Sequence, residues 1–272
     1  MSSRVLCGLI LLLIGTFLVA NCSKTDDTET RSKGPLYKPT GNEATLTGEI
    51  TFSGTPPQPR PLDMSGDKYC AESPGSKESQ QVIVHDGRLG NVFVYIKSGG
   101  AIDHFSFAPP STPAILDQKY CLYEPHVLGI MVGQTLKVIN SDQTGHNVHP
   151  TPSKNKEWNE SQLAGGPPKE KSFTRSEVMI PVRCNQHPWM SAFIGVLHHP
   201  FYAVSSDKDG SYTIGGLPPG SYVIAAWHEK YGEKTQKVTV GLKEAQTVNF
   251  DFNSGSAYAQ TSLKVEQALV LP

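Results

Sequence analysis

Residues 178–197 have the sequence VMIPVRCNQHPWMSAFIGVL, which decides how the centre of the chain folds. Two apolar stretches of strand length, Val178 to Val182 and Phe193 to Leu197, flank a short loop. Short apolar runs that are rich in β-branched and aromatic side chains are typical of strands. The stretch therefore predicts two strands joined by a loop that carries a cysteine, a histidine and a methionine.

Three side chains of this loop suit a soft metal. Cys184, His187 and Met190 follow one another at intervals of three residues and offer a thiolate, an imidazole and a thioether. Soft sulfur together with imidazole favours copper over hard cations. Copper sites that transfer electrons have two histidines and one cysteine in a trigonal plane with a long axial methionine, so a second histidine must come from elsewhere. The stretch GHNVH offers His146 and His149.

Residues 140–148 and the Cys-x-x-His-x-x-Met loop together resemble the cupredoxins, the blue-copper family of plastocyanin and amicyanin. The resemblance covers roughly residues 115–199 and includes the proline after the histidine of the short amicyanin-type loop. It implies a Greek-key β-sandwich with one type 1 copper ion, whose ligands are His146, Cys184, His187 and Met190. It also implies that the edge of His187 reaches the surface through an apolar patch where a redox partner docks.

Other interpretations of the same residues stay open. Cys-x-x-His alone also occurs in zinc sites, Cys184 and Met190 are compatible with simple core packing, and His149 rivals His146 as the first ligand. A cysteine–histidine hydrolase is disfavoured, because its nucleophile and base are usually distant in sequence, whereas here they share one tight loop. We therefore expect a protein that is not an enzyme.

The rest of the chain also predicts strands. Ala44 to Ser53 alternates apolar and polar side chains with period two, as half-buried strands do. Further runs of strand length lie at 81–84, 91–96, 129–140 (broken at Gly133), 211–214, 222–227, 236–240 and 247–252, whereas 142–177 is loop-like. With 25 glycines and 21 prolines to form turns, the chain is predicted to be all-β. His126 is expected to be an ordinary strand histidine, with a role as a hydrogen-bond partner of a metal ligand as the alternative, and His198 and His199 are expected at the surface.

A second resemblance concerns residues 207–224, DKDGSYTIGGLPPGSYVI, which resemble the carboxypeptidase-regulatory-like domain, an immunoglobulin-like β-sandwich. Neither residues 44–100 nor residues 201–252 alone supply the two-sheet core of such a sandwich, which has about seven strands. The resemblance therefore implies one split sandwich made of 44–114 and 200–252, with the copper domain 115–199 inserted between its halves. Three consecutive units remain the alternative.

The N-terminus predicts export. The apolar run Leu9 to Ala20 follows a single charge at Arg4 and is too short to span a bilayer, as in a secretory signal. The sequence LVANC ending at Cys22 resembles the lipobox of bacterial lipoproteins, which implies lipidation of Cys22 and a membrane anchor on the periplasmic side of the cell envelope. An ordinary cleaved signal is the alternative. The polar residues 23–43 are predicted to be a tether, and residues 253–272 a C-terminal extension.

Two cysteines outside the copper motif, Cys70 and Cys121, are predicted to form a disulfide, since exported proteins fold in oxidising compartments. Such a bond would stabilise the fold by about 4 kcal/mol in the chain-entropy model. Two free buried thiols are the alternative.

Charge and motifs together limit the function. Lysine and arginine number 24 against 25 acidic residues, for a net charge of -1, so nothing favours binding to nucleic acid. We expect a type 1 copper protein that transfers electrons in the envelope to a redox protein partner. One alternative is a non-redox envelope module that binds carbohydrate or protein and has a structural or vestigial metal site. Copper storage or sensing is a third.

Overall fold

A computed structural model describes residues 34–257 of the chain. Strands dominate these residues, which contain one short α-helix, α1 (Lys68–Glu72), and two 3-10 turns at Gly100–Asp103 and Ser254–Ala257. The all-β class predicted from the sequence is confirmed. The predicted signal peptide with Cys22, the first part of the tether and most of the C-terminal extension lie outside the described residues. Within 34–257, no helix has the length and apolarity that crossing a membrane requires.

Nineteen strands lie in the described part of the chain and form two β-sandwiches, each with two sheets around one core. In chain order they are β1 (Ala44–Ser53), β2 (Val84–His85), β3 (Arg88–Leu89), β4 (Phe93–Gly99), β5 (Ala114–Lys119), β6 (Leu122–Glu124), β7 (Val127–Met131), β8 (Leu136–Asn140), β9 (His146–Pro150), β10 (Glu160–Gln162), β11 (Lys169–Lys171), β12 (Glu177–Arg183), β13 (Ser191–Leu197), β14 (Tyr202–Val204), β15 (Ser211–Leu217), β16 (Gly220–His228), β17 (Gly232–Val240), β18 (Ala245–Thr247) and β19 (Phe250–Asn253).

The first sandwich contains strands from both ends of the described chain, and we call it the split sandwich (β1–β4 and β14–β19). In one sheet β1 pairs antiparallel with β15 and β3 and parallel with β18 and β19. The other sheet has the order β14-β4-β16-β17. Every second side chain of β1 is buried, and Leu46 and Ile50 share one core with Val94 and Ile224 of the facing sheet. The period of two in the sequence therefore places one face of β1 in the core.

The second sandwich, here the inserted sandwich (β5–β13), lies between the two halves of the first in sequence. Its sheets have the orders β10-β9-β12-β13-β7 and β11-β8-β5-β6. Their inner faces share a core that includes Tyr123, Ile130, Val138 and Ile194. Because β9 neighbours β12 and β12 neighbours β13, the start of β9 lies beside the loop between β12 and β13. The sheet order thus brings the two histidine-bearing segments together.

The two sandwiches pack against each other through β4, which is buried on both faces. Val94 and Ile96 enter the core of the split sandwich, whereas Phe93 and Tyr95 enter a smaller cluster shared with Leu197 of β13. Successive side chains of a strand point to opposite faces, and a strand covered on both sides has an apolar run in place of alternation. The sequence of β4, FVYIKSG, has this character over its first four residues.

Two glycines make the contact between the sandwiches possible. Gly129 of β7 and Gly195 of β13 are partners in the parallel pairing of these strands. A Cβ atom on Gly195 would lie 2.5 Å from the ring of Phe93, and one on Gly129 would lie 2.4 Å from the ring of Tyr202. The aromatic rings of the split sandwich therefore rest directly on the backbone of the inserted one.

Residues 54–83, which connect β1 to β2, extend over one end of the inserted sandwich, and we call them the cap. Met64 and Cys70 of the cap are buried in the core of the inserted sandwich. A disulfide joins Cys70 to Cys121, across a sequence separation of 51 residues. Asp67 begins α1 as its N-cap, because its Oδ1 accepts a hydrogen bond of 3.0 Å from the backbone N–H of Cys70. The cap is therefore held by a covalent bond and by apolar packing.

Some local predictions are wrong. Residues 142–177 contain β9, β10 and β11 in place of the predicted loop, and the strand expected at 81–84 begins at Val84. The strands β10 and β11 have three residues each and lie at sheet edges, where polar side chains are favoured, so they lack apolar alternation. Residues 34–43 of the predicted tether contact the split sandwich, where the Tyr37 ring centroid lies 5.4 Å from that of Phe105.

The other histidines also have defined positions. His199 is buried and its ring stacks on Phe201, and His198 is half-buried, so the predicted surface positions are wrong. His126 is buried just before β7, where Nδ1 lies 3.0 Å from the carbonyl oxygen of Ser191 and Nε2 lies 2.5 Å from Oε1 of Glu229. Both nitrogens of His126 thus have polar partners.

Candidate metal centre

The loop between β12 and β13 is closed by its own backbone. The two strands pair up to Arg183 and Ser191, which leaves Cys184 to Met190 as the connection. The N–H of Cys184 donates to the carbonyl oxygen of Met190 (3.3 Å), and the N–H of Met190 donates to the carbonyl oxygen of His187 (2.9 Å). These bonds fix the positions from which the loop side chains project.

Three donor atoms meet beneath this loop. Nδ1 of His146, at the start of β9, lies 2.8 Å from Nδ1 of His187, and Sγ of Cys184 lies 3.7 Å from that same nitrogen. One donor atom from each of the three residues falls within 4.8 Å of the others. All three residues are buried, with exposed fractions of 0%, 2% and 5% for the whole residues His146, Cys184 and His187. The structure therefore brings together the donor atoms of three of the four expected ligands.

Two other groups of possible ligands lie within the same distance, but each of them includes a disulfide cysteine. Asp67, Cys70 and His187 form one group, and Cys121, Asp142 and His146 form the other. Because Cys70 and Cys121 are bonded to each other, neither offers a thiolate. Cys184 is the free cysteine within the described residues. The set of His146, Cys184 and His187 is thus the group that can present sulfur to a metal.

The surroundings of Cys184 favour its thiolate form. Burial alone would raise the pKa of the thiol, but interactions with His146 and His187 outweigh it and lower the pKa to about 6. Oδ1 of Asn147 lies 3.3 Å from Sγ of Cys184 and also accepts a 2.7 Å hydrogen bond from the backbone N–H of Asn185. Asn147 therefore ties β9 to the ligand loop at the sulfur. A thiolate, not a thiol, is the form that binds metal.

A buried carboxylate orients His146. Oδ2 of Asp142 lies 2.8 Å from Nε2 of His146, and the same side chain accepts hydrogen bonds from the backbone N–H groups of Tyr120 (2.6 Å) and Cys121 (2.8 Å). Burial would raise the pKa of Asp142, but these bonds lower it. An ionised Asp142 holds the proton of His146 on Nε2 and leaves Nδ1 free to bind a metal. Asp142 was not among the residues predicted from the sequence, although its spacing of four residues from His146 was an available signal.

Met190, the fourth expected ligand, is buried in the same apolar cluster as Cys184. Its backbone closes the loop, as described above. His149, the rival first ligand, does not join the donor atoms. Its Nε2 lies 2.6 Å from Oε1 of Glu157 and its Nδ1 lies 3.1 Å from Oδ1 of Asn185. His146 is therefore the histidine of β9 that belongs to the candidate centre.

The expectation that His187 reaches the surface is wrong. Its side chain is 6% exposed, because the cap covers its edge with Asp67 and Cys70, while the Trp189 ring lies beside it with a centroid distance of 5.0 Å. Nε1 of Trp189 donates to the carbonyl oxygen of Cys121 and so joins the loop to the disulfide region. The cap comes from another part of the chain, and the local motif around His187 therefore contains no signal for it.

Comparisons with known proteins found one family model and several solved structures that are similar to parts of the chain. Residues 195–253 match the family model of the carboxypeptidase regulatory-like domain. That match contains β14–β19 but neither β1 nor β4, which complete the two sheets of the split sandwich. No curated protein matches the chain.

Among solved structures, a Cu-containing nitrite reductase from Thermus scotoductus SA-01 is similar with 21% identity over 32% of this chain and 23% of that chain, at a TM-score of 0.30. The chain thus spans about a quarter of that relative. A purple cupredoxin from Nitrosopumilus maritimus has 24% identity over 30% of this chain and 98% of its own, at a TM-score of 0.27. An oxidised amicyanin variant has 20% identity over 38% of this chain and 97% of its own, at a TM-score of 0.28.

Residues 195–253 are therefore similar to the carboxypeptidase regulatory-like domain, and the solved structures to which the chain is similar include cupredoxins.

Proposed function

We propose that this protein binds one copper ion in a type 1 site and carries electrons in the cell envelope, without catalysing a reaction itself. The observation that carries the proposal is the convergence of the Cys184 sulfur with the inward-facing Nδ1 atoms of His146 and His187. One thiolate and two imidazoles are the donors of electron-transfer copper sites. Met190, buried beside them, is the proposed axial ligand.

The described residues fit a copper ion in two further respects. The three donor residues are buried, and Cys184 shares an apolar cluster with Val182 and Ile194, so a bound ion is kept from water. Asp142 fixes the tautomer of His146, as partners of metal-binding histidines do. Copper supplies a one-electron change between Cu(II) and Cu(I) at such a site.

The ligand loop suits electron transfer because it resists rearrangement. Its backbone bonds between Cys184, His187 and Met190, and the fixed dihedral of Pro188, hold the donors in one geometry. A geometry that changes little between the oxidised and reduced states lowers the cost of each transfer. The exposed residues Gln186 and Pro188 leave part of the loop open to a redox protein partner, although His187 itself is covered.

The absorption spectrum of the purified full chain with copper tests the proposal. We expect one copper per chain and a strong visible band from the thiolate, which Cys184→Ser should abolish. His149→Gln is the matched control, since His149 lies on the same strand but outside the donor set, and it should keep the band. A wild-type chain that takes up zinc, rejects copper and stays colourless would overturn the proposal.

Met190→Gln tests the axial position separately. An amide oxygen favours Cu(II) more than a thioether does, so the coloured site should remain and its reduction potential should fall. An unchanged potential would assign Met190 to core packing and leave a site with three ligands.

A further inference from the structure

Each histidine of the candidate centre faces a carboxylate with the ring nitrogen that points away from the donor cluster. Nε2 of His146 lies 2.8 Å from Oδ2 of Asp142, and Nε2 of His187 lies 3.4 Å from Oδ2 of Asp67. The second distance is longer than a typical N–H···O hydrogen bond but within the range of an ion pair. Both imidazoles thus have an acidic partner behind them.

The two carboxylates come from different parts of the fold. Asp142 follows β8 of the inserted sandwich, whereas Asp67 belongs to the cap. Besides capping α1, Asp67 accepts a 2.9 Å hydrogen bond at Oδ2 from the hydroxyl of Thr144, two residues before His146. The disulfide at Cys70 holds α1 in place. Asp67 is therefore held beside the centre by its bond to the Cys70 N–H, its bond to Thr144 and the disulfide at Cys70. Its side chain is 22% exposed.

The two carboxylates change the net charge of the metal site. The donor set alone contributes one negative charge, that of the thiolate, and would leave a net charge of about +1 with Cu(II) and about zero with Cu(I). With both carboxylates ionised, the same region has a net charge of about -1 with Cu(II) and about -2 with Cu(I). Uncompensated charge costs free energy in a site shielded from water. The carboxylates therefore favour the divalent ion.

Resting on the proposed function, we propose that Asp67 is a positioning residue of the copper site, through which the cap holds His187 and, together with Asp142, shifts the site toward Cu(II). The cap then does more than shield the metal. A segment that belongs in sequence to the split sandwich sets the reduction potential of the inserted one.

Asp67→Asn tests this assignment, because asparagine caps helices as well as aspartate does but has no charge. Asp63→Asn is the matched control: Asp63 lies on the same cap and is exposed, and its hydrogen bonds within the described residues go to Ser65 of its own turn. Reduction potentials of the copper-loaded full chains are measured by spectroelectrochemical titration. We expect Asp67→Asn to shift the equilibrium between Cu(II) and Cu(I) toward Cu(I) by at least about tenfold, which raises the reduction potential by about 59 mV for one electron. The reduction potential of Asp63→Asn should match that of the wild type.

A purely structural role for Asp67 would have a different signature. Loss of the cap would lower the urea midpoint of the metal-free protein and leave the potential unchanged, whereas the proposal requires the potential to rise with an unchanged midpoint. Equal potentials for Asp67→Asn and wild type would overturn the inference while the proposed function stands.

Cobalt separates the two proposals if copper is not bound. A chain that rejects copper refutes the proposed function, and the affinity for Co(II), another divalent ion, still reports on the carboxylate. We expect at least about tenfold weaker Co(II) binding by Asp67→Asn, as for other partners of metal-binding histidines. Equal Co(II) affinities of variant and wild type would overturn the inference in that case.

Discussion

Oδ2 of Asp67 lies 3.4 Å from Nε2 of His187, although 120 residues separate the two in sequence. The contact joins the cap to the loop that carries the proposed ligands. It also buries the histidine edge that the cupredoxin resemblance places at the surface. The cap, the disulfide and the ligand loop thus form one connected region, and changes in one part should be measurable in the others.

Removing the disulfide should lower stability strongly. Cys70→Ala combined with Cys121→Ala opens a cross-link over 51 residues, which should cost about 4 kcal/mol of unfolding free energy in the chain-entropy model. Urea unfolding of the metal-free protein measures the loss. A dithiol reductant should destabilise the wild type by a similar amount and leave the double variant unaffected. Equal urea midpoints for the double variant and the wild type would contradict the inference that the disulfide stabilises the cap.

The contact between the sandwiches should not tolerate a methyl group at Gly195. In Gly195→Ala the new Cβ would lie 2.5 Å from the Phe93 ring, and overpacking of this kind costs about 1–3 kcal/mol. Gly215→Ala is the matched control, since no atom of residues 34–257 lies within 4 Å of a Cβ there. That variant should keep or slightly raise the stability in urea unfolding, because alanine restricts the unfolded chain. Equal losses in both variants would show that the ring contact is not the cause.

Acid should destabilise the split sandwich through His228. Burial lowers the pKa of this histidine to about 3, whereas an unfolded histidine has a pKa of about 6.5. The folded state is therefore favoured fully above about pH 6.5, and this contribution is lost as the pH falls toward 3, with about 3 kcal/mol lost by pH 4.5. His228→Gln should flatten the pH dependence of urea unfolding between pH 7.5 and 4.5. The exposed His104→Gln should leave it unchanged, and an equal slope in wild type and His228→Gln would contradict the prediction.

The proposed envelope anchor can be tested at Cys22, which lies outside the described residues. A lipidated cysteine carries enough acyl chain for stable membrane binding, so the wild type should sediment with membranes. Cys22→Ala should move the protein to the soluble fraction, whereas Ser23→Ala should not. Immunoblots of the membrane and soluble fractions show where each variant is. Retention of Cys22→Ala in the membrane fraction would refute the lipoprotein prediction.

The sequence by itself determined the elements whose signals are local. The alternation of Ala44 to Ser53 specifies a strand with one buried face, because side chains of a strand alternate between its faces. The spacing of Cys184, His187 and Met190 specifies one loop, since residues so close in sequence must lie together in space. The motif around residue 212 likewise identifies the carboxypeptidase regulatory-like segment.

Only the tertiary structure decided what surrounds that loop. Asp142 and Asp67 face the two histidines because sheet order and the cap place them there, and no periodicity or spacing encodes a contact over 120 residues. The edge strands β10 and β11 exist because β9 and β8 offer unpaired backbone groups, not because their own side chains favour strands. Donor identity is thus a property of the local sequence, whereas burial, charge and access at the donors arise from long-range pairing of chain segments.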